Sequence, residues 1–192
     1  MGLFRFGDML RISWVFRSLL ALPLVGQMVW GADFLDSVRI DGELGRSMPI
    51  GGLRDVIRDY WFGEAGFSYP LSNSIRGYAQ AGYAYIPIHN DPAPGFRQAN
   101  GRAGLELPVP GFERASLGGG ISLVMVRGDH MDSTYLSSTG ESEFGWHARV
   151  SCLVYKAQAY QLGLRLHWER IWTQPVASQF IWAGVFLEVT PW

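Results

Sequence analysis

Cysteine is all but missing from this chain. Cys152 stands alone, so an internal disulfide framework is excluded, and no cysteine closes the apolar N-terminal run to carry a lipid. Charge is scarce at 17% of residues, and 16 basic side chains against 17 acidic ones supply neither a basic patch for nucleic acid nor an acidic tail. Lysine is reduced to Lys156. The sequence has no phosphate-binding glycine loop, zinc-finger spacing or nucleophile elbow. Beyond residue 35 it also lacks any 3.6-residue apolar stripe longer than two turns, which excludes a helical bundle.

What the chain does hold is apolar and aromatic: 48% hydrophobic residues, 14% aromatic, 8 Trp and 24 Gly in 192 residues. Arg5, Arg11 and Arg17 precede the run SLLALPLVGQMVWGA. Basic residues followed by an apolar stretch and small residues are the grammar of a signal peptide, expected over residues 1–31 with cleavage before Ala32. The run is shorter than the roughly 20 residues a helical span needs. Residues 32–192 are then expected to form one domain.

Period-two patterning fills that domain. It predicts strands over 36–48, 59–69, 75–86, 97–107, 113–127, 143–156, 160–171 and 178–190. Compact turns (YPLSNS, LPVPGFE, YKAQA) alternate with mostly longer, more polar connections, the signature of an up-and-down barrel with short turns on the periplasmic rim. The segment 51–61 has room for a short helical turn.

Sorting each strand by parity separates two faces. One carries Ile40, Leu44, Leu105, Leu117, Ile121, Val150, Leu162, Leu164, Leu166, Val185 and Leu187, with Val38 placed beside them, and almost no charge. The other carries Arg39, Asp41, Glu43, Glu64, Arg76, Arg102, Glu106, Arg114, Arg149, Arg165, Glu169 and Glu188, six arginines against six carboxylates. A solvated face has no need of such equality, whereas an enclosed one must pair its ions or bear a desolvation cost of several kcal/mol. The charged face is therefore the lumen and the leucine face meets lipid. A soluble secreted barrel with an apolar cavity would need the reverse. Trp61, Tyr83, Tyr85, Phe144, Trp146 and Trp168 gather toward one rim and Tyr69 and Tyr160 toward the other, as interfacial girdles do. The fold class expected is all-β: an eight-stranded antiparallel up-and-down transmembrane β-barrel of the cell outer membrane.

Signal segment, eight strands, girdles and the ending GVFLEVTPW, closed by Trp192, make the chain resemble the small eight-stranded outer-membrane barrels, among them most of all the outer-membrane protein W family. Pro191 and the polar Glu188 and Thr190 depart from the usual apolar terminal signal. The resemblance implies a narrow channel or binding barrel for small, often hydrophobic molecules, with the barrel-assembly machinery and outer-membrane lipid as partners. Phe180, Trp182 and Phe186, on the inward parity of the last strand, are candidates for a gate or ligand lining.

Placing the sixth hairpin's turn at Ala157 puts His147 opposite His167 and Arg149 opposite Arg165, a candidate pH-sensitive pair with Glu169 one step above. Asp129, His130 and Asp132 form a polar loop tip. No catalytic residue, cofactor, metal or nucleic-acid partner is expected. A lipid-modifying barrel would need a serine with its base on the lipid-facing rim, and both strand histidines have inward parity. A surface-contact barrel acting through its extracellular loops is the alternative function.

Overall fold

A computed structural model describes residues 37–88, 95–128, 141–172 and 177–190. Eight strands follow one another: β1 (Arg39–Ile50), β2 (Tyr60–Pro70), β3 (Arg76–Ile86), β4 (Phe96–Val109), β5 (Phe112–Gly128), β6 (Glu141–Lys156), β7 (Tyr160–Ile171) and β8 (Ser178–Val189). Each pairs antiparallel with the next, and β1 pairs with β8, so the sheet closes into a barrel with no free edge. Every strand limit expected from the sequence lies within three residues of the one observed. The expected signal segment and the tip at Asp129, His130 and Asp132 lie outside the described residues.

The short rim is made by local chemistry. Pro110 and Gly111 join β4 to β5, with Gly111 at φ 79° as the third position of a type II turn requires. Between β2 and β3, Ser72 Oγ accepts hydrogen bonds from the backbone N–H groups of Ser74 and Ile75. On the opposite rim β1 runs into a short 3-10 helix, Gly51–Asp55. This is the helical turn expected within 51–61, and its Leu53, with Ile57 beyond it, packs onto the aromatic cluster at that end of the lumen.

Burial alternates along the strands with the parity read from the sequence. In β1, Asp41, Glu43 and Ser47 are buried while Leu44 is 62% exposed, and in β5 Ser122 and Val124 are buried while Ile121 is 67% exposed. The barrel is thus inverted relative to a soluble one: its outside is a belt of Leu, Ile, Val and aromatic side chains, its inside largely polar. Val38, expected on the outer face, precedes β1 and is buried.

The β6–β7 pairing corrects the expected register. His147 lies opposite Glu169, Arg149 opposite His167, and Ser151 opposite Arg165. Ala157 N–H bonds the Tyr160 carbonyl, so the turn residues are Gln158 and Ala159, which shifts the pairing by three from a turn placed at Ala157. A bulge at Val154 takes one back. The net slip of two is even, so every side chain keeps its expected face.

Candidate functional site

Three layers divide the lumen. At the long-loop end Tyr60, Phe62, Phe180 and Trp182 form a plug with Ala84, Ile86, Val124 and Ile171. The Trp182 ring meets Phe62 edge-on at 4.7 Å between centroids and Tyr60 at 5.8 Å, and is 0% exposed. Two of the expected gate residues, Phe180 and Trp182, therefore stand in this plug. The third, Phe186, lies lower, under the Arg165 guanidinium at 4.2 Å.

Below the plug lies an ion layer that ties together strands distant around the ring. Arg102 on β4 binds Glu64 on β2, and Glu169 on β7 at 2.8 Å. Arg165 on β7 reaches Asp41 and Glu43 on β1, each at 2.9 Å. Arg149 on β6 binds Glu106 on β4, and Gln80 on β3 at 3.1 Å. Each of these arginines also covers an inward ring: Arg102 over Trp182 at 4.5 Å, Arg149 over Tyr78 at 3.3 Å, Arg165 over Phe186. Guanidinium suits this double duty because its edge donates hydrogen bonds while its face stacks.

The histidines belong to this layer but not to one another as cross-strand partners. His147 Nε2 is 2.5 Å from the Tyr78 hydroxyl, and His167 Nε2 is 3.1 Å from both Glu43 oxygens. Glu43, Glu64 and His167 each bring one ligand-type atom within 4.8 Å of the others. Arg165 and Arg102 already hold an oxygen of each carboxylate, so a cation there would compete with two guanidiniums.

Long polar side chains fit inside eight strands because inward glycines give them room. A Cβ at Gly82 would lie 2.6 Å from Glu64 Cγ, and one at Gly184 would lie 2.9 Å from Glu43 Oε1.

At the short-turn end Arg39 and Arg76 share Glu188, at 2.7 and 3.2 Å. Here the sequence reading needs a correction: Arg114, assigned to the lumenal network, is exposed on the rim and has no ion partner among the described residues. Residues 113–115 bulge out of the β4 pairing, where Pro108 meets Ser116 and Val109 meets Phe112, and the β6 pairing ends at Ala115, so Arg114 stands outside the regular wall beside the short-turn mouth. The other eleven residues of the expected network are all engaged in it. Tyr60, Phe62 and Tyr78 were missed, although they share parity with Glu64 and with Arg76.

No protein family matches the chain by sequence, and no curated protein does. Solved structures match it by shape. Neisserial surface protein A aligns over 80% of this chain and 96% of its own, with a TM-score of 0.58 at 12% identity. The outer membrane protein OprG of Pseudomonas aeruginosa aligns over 80% and 94%, with 0.57 at 9%. The N-terminal β-barrel domain of P. aeruginosa OprF aligns over 80% and 97%, with 0.50 at 14%. At such identities the likeness is one of fold. The chain has the fold of the small eight-stranded outer-membrane barrels. With an apolar belt outside and ions inside, it is a membrane-spanning barrel of the outer membrane.

Proposed function

We propose that this protein is a closed, non-conducting outer-membrane barrel that acts at its two rims rather than through its lumen. The observation that carries the reading is the stacking of two seals. The Tyr60–Phe62–Phe180–Trp182 plug sits on an ion layer whose Arg102, Glu64 and Glu169 side chains are at most 1% exposed. Eight strands enclose a space that side chains can fill, and here they fill it from the plug through the ion layer. The surface-contact alternative gains from this. A narrow channel, or a carrier for small hydrophobic molecules, would need Trp182 and its neighbours to move aside. His147 and His167 lie inside the barrel, away from the lipid face a lipid-modifying enzyme would use, and the reading includes no catalytic step. The assembly machinery remains the expected partner in biogenesis.

Planar-bilayer recording of the refolded protein tests the proposal. Silence is expected at moderate salt, together with no uptake of small hydrophobic probes into protein-bearing vesicles. Stable stepwise conductance, or saturable probe uptake, would overturn it.

A further inference from the structure

The short-turn end is open where the other is sealed. Beneath Arg165 and Phe186 lies a cavity of about 290 Å³, walled by the ends of all eight strands and by the turn between β2 and β3. Its lining carries more positive than negative charge. Arg165 is spent on Asp41 and Glu43, and Glu106 on Arg149 and Ser116. What remains is Arg39, Arg76, Arg114 and Lys156 against Glu113 and Glu188, four cations against two carboxylates.

Those cations have donors to spare. Arg39 and Arg76 each use one terminal nitrogen on the same Glu188, while a guanidinium has five N–H donors. Their side chains are 29% and 32% exposed. Arg114 and Lys156 have no ion partner among the described residues, although Glu113 shares the rim with them. The Ser72 hydroxyl accepts two backbone N–H groups and keeps its own proton free to donate.

We propose that this vestibule is a binding site for a phosphate-class dianion, presented from the periplasmic side. The cations rise from four different strands and line one cavity, so they can meet an anion from more than one side. That arrangement suits a tetrahedral group with oxygens on every side better than a planar carboxylate. The surplus of two positive charges matches a phosphate monoester dianion, and guanidinium pairs with phosphate oxygens in a two-pronged geometry. Low-dielectric barrel walls concentrate the field of these charges in the cavity. The phosphate could belong to a soluble periplasmic compound or to a phospholipid headgroup of the inner leaflet, which share this chemistry.

The test is calorimetric titration of inorganic phosphate, then glycerol phosphate, into the refolded protein in discs of zwitterionic lipid. Saturable binding that weakens with added salt is expected. R114Q/K156Q, which alters only exposed side chains, should weaken it about tenfold, since each removed charge acts across a solvated cavity. E188Q frees two guanidiniums and should tighten binding several-fold. Heat-modifiable gel mobility shows that each variant is folded. Discs containing anionic phospholipid separate the two sources: a lowered apparent affinity for free phosphate assigns the site to headgroups, an unchanged one to a solute. No saturable phosphate binding by the parent protein, or equal affinity in the parent and R114Q/K156Q, would overturn the proposal. The bilayer recording described above fails or succeeds independently.

Discussion

Arg102 is the side chain whose removal tests the inverted barrel most directly. It is 1% exposed, binds Glu64 through Nη1 and Glu169 through Nη2 and Nε, and stacks over Trp182. Substituting Arg102→Met keeps an unbranched apolar side chain of similar length but leaves two carboxylates, Glu64 and Glu169, without their guanidinium. Breaking a buried pair by removing one partner costs about 3–5 kcal/mol, most of it the desolvation of the charge left behind. The lost ring contact adds about 0.5–2 kcal/mol. A loss of about 3.5–7 kcal/mol is therefore expected. It can be read from urea unfolding in lipid vesicles by tryptophan fluorescence and far-ultraviolet circular dichroism, with a constant m-value as the check that the same surface is exposed. The triple variant R102M/E64Q/E169Q removes the stranded charges and should recover at least about 2 kcal/mol, because neutral amides in place of bare carboxylates avoid most of that penalty. An R102M variant within about 1 kcal/mol of the parent would refute the reasoning: the two carboxylates would then be solvated as they are at a surface, and the lumen could not be the dry ion layer described.

Other positions probe the remaining layers. Trp182→Ala removes the largest fully buried side chain and should cost about 3–5 kcal/mol; small conductance steps are expected alongside, and a variant as silent as the parent would place the seal in the ion layer alone. Leu164→Arg, near the middle of β7 on the outer face, should cost about 2–4 kcal/mol in a bilayer, whereas no loss would contradict lipid contact there. Gly82→Val drives a side chain into Glu64 and Asn100 and should destabilise by about 1–3 kcal/mol. Gly63→Ala, with no atom within 4 Å of its added Cβ, should stay within about 0.5 kcal/mol of the parent. His167→Leu removes the Glu43 partner and should cost about 1–3 kcal/mol, with His167→Gln recovering part of it by donating to the same carboxylate; equal unfolding midpoints for the two variants would show that the imidazole only fills space.

Strand number, strand limits and the two faces were legible because alternation is local: each residue's side follows from its neighbours two positions away. The β6–β7 register was not. It depends on which two residues make a turn and on one bulged residue, and the segment YKAQAY offers no Gly or Pro to mark either. Which cation meets which carboxylate was hidden for a related reason. Partners such as Arg102 and Glu169, or Arg165 and Asp41, belong to strands that are not neighbours in the sheet, so reach across the lumen decides the pairing. Tyr60, Phe62 and Tyr78 went unassigned although parity places them inside, since a ring suits an interfacial girdle and a lumenal plug equally well and only parity separates the two.

The equality of arginines and carboxylates that identified the lumen conceals an axial separation. In the buried centre Asp41, Glu43, Glu64, Glu106 and Glu169 face Arg102, Arg149 and Arg165, five carboxyl groups against three guanidiniums. At the short-turn mouth the cavity-lining Arg39, Arg76, Arg114 and Lys156 outnumber Glu113 and Glu188 by the same two. The centre and the mouth therefore offset each other along the barrel axis rather than pair by pair. Buried charges lack mobile counterions within a Debye length inside the protein, so their excess is felt at the mouth, where water and salt can answer it. The rim cations consequently stabilise the acidic centre from a distance while remaining free to engage an anion. Removing them should weaken phosphate binding and cost a little barrel stability, whereas deleting a central carboxylate such as Asp41 should leave the mouth more attractive to anions.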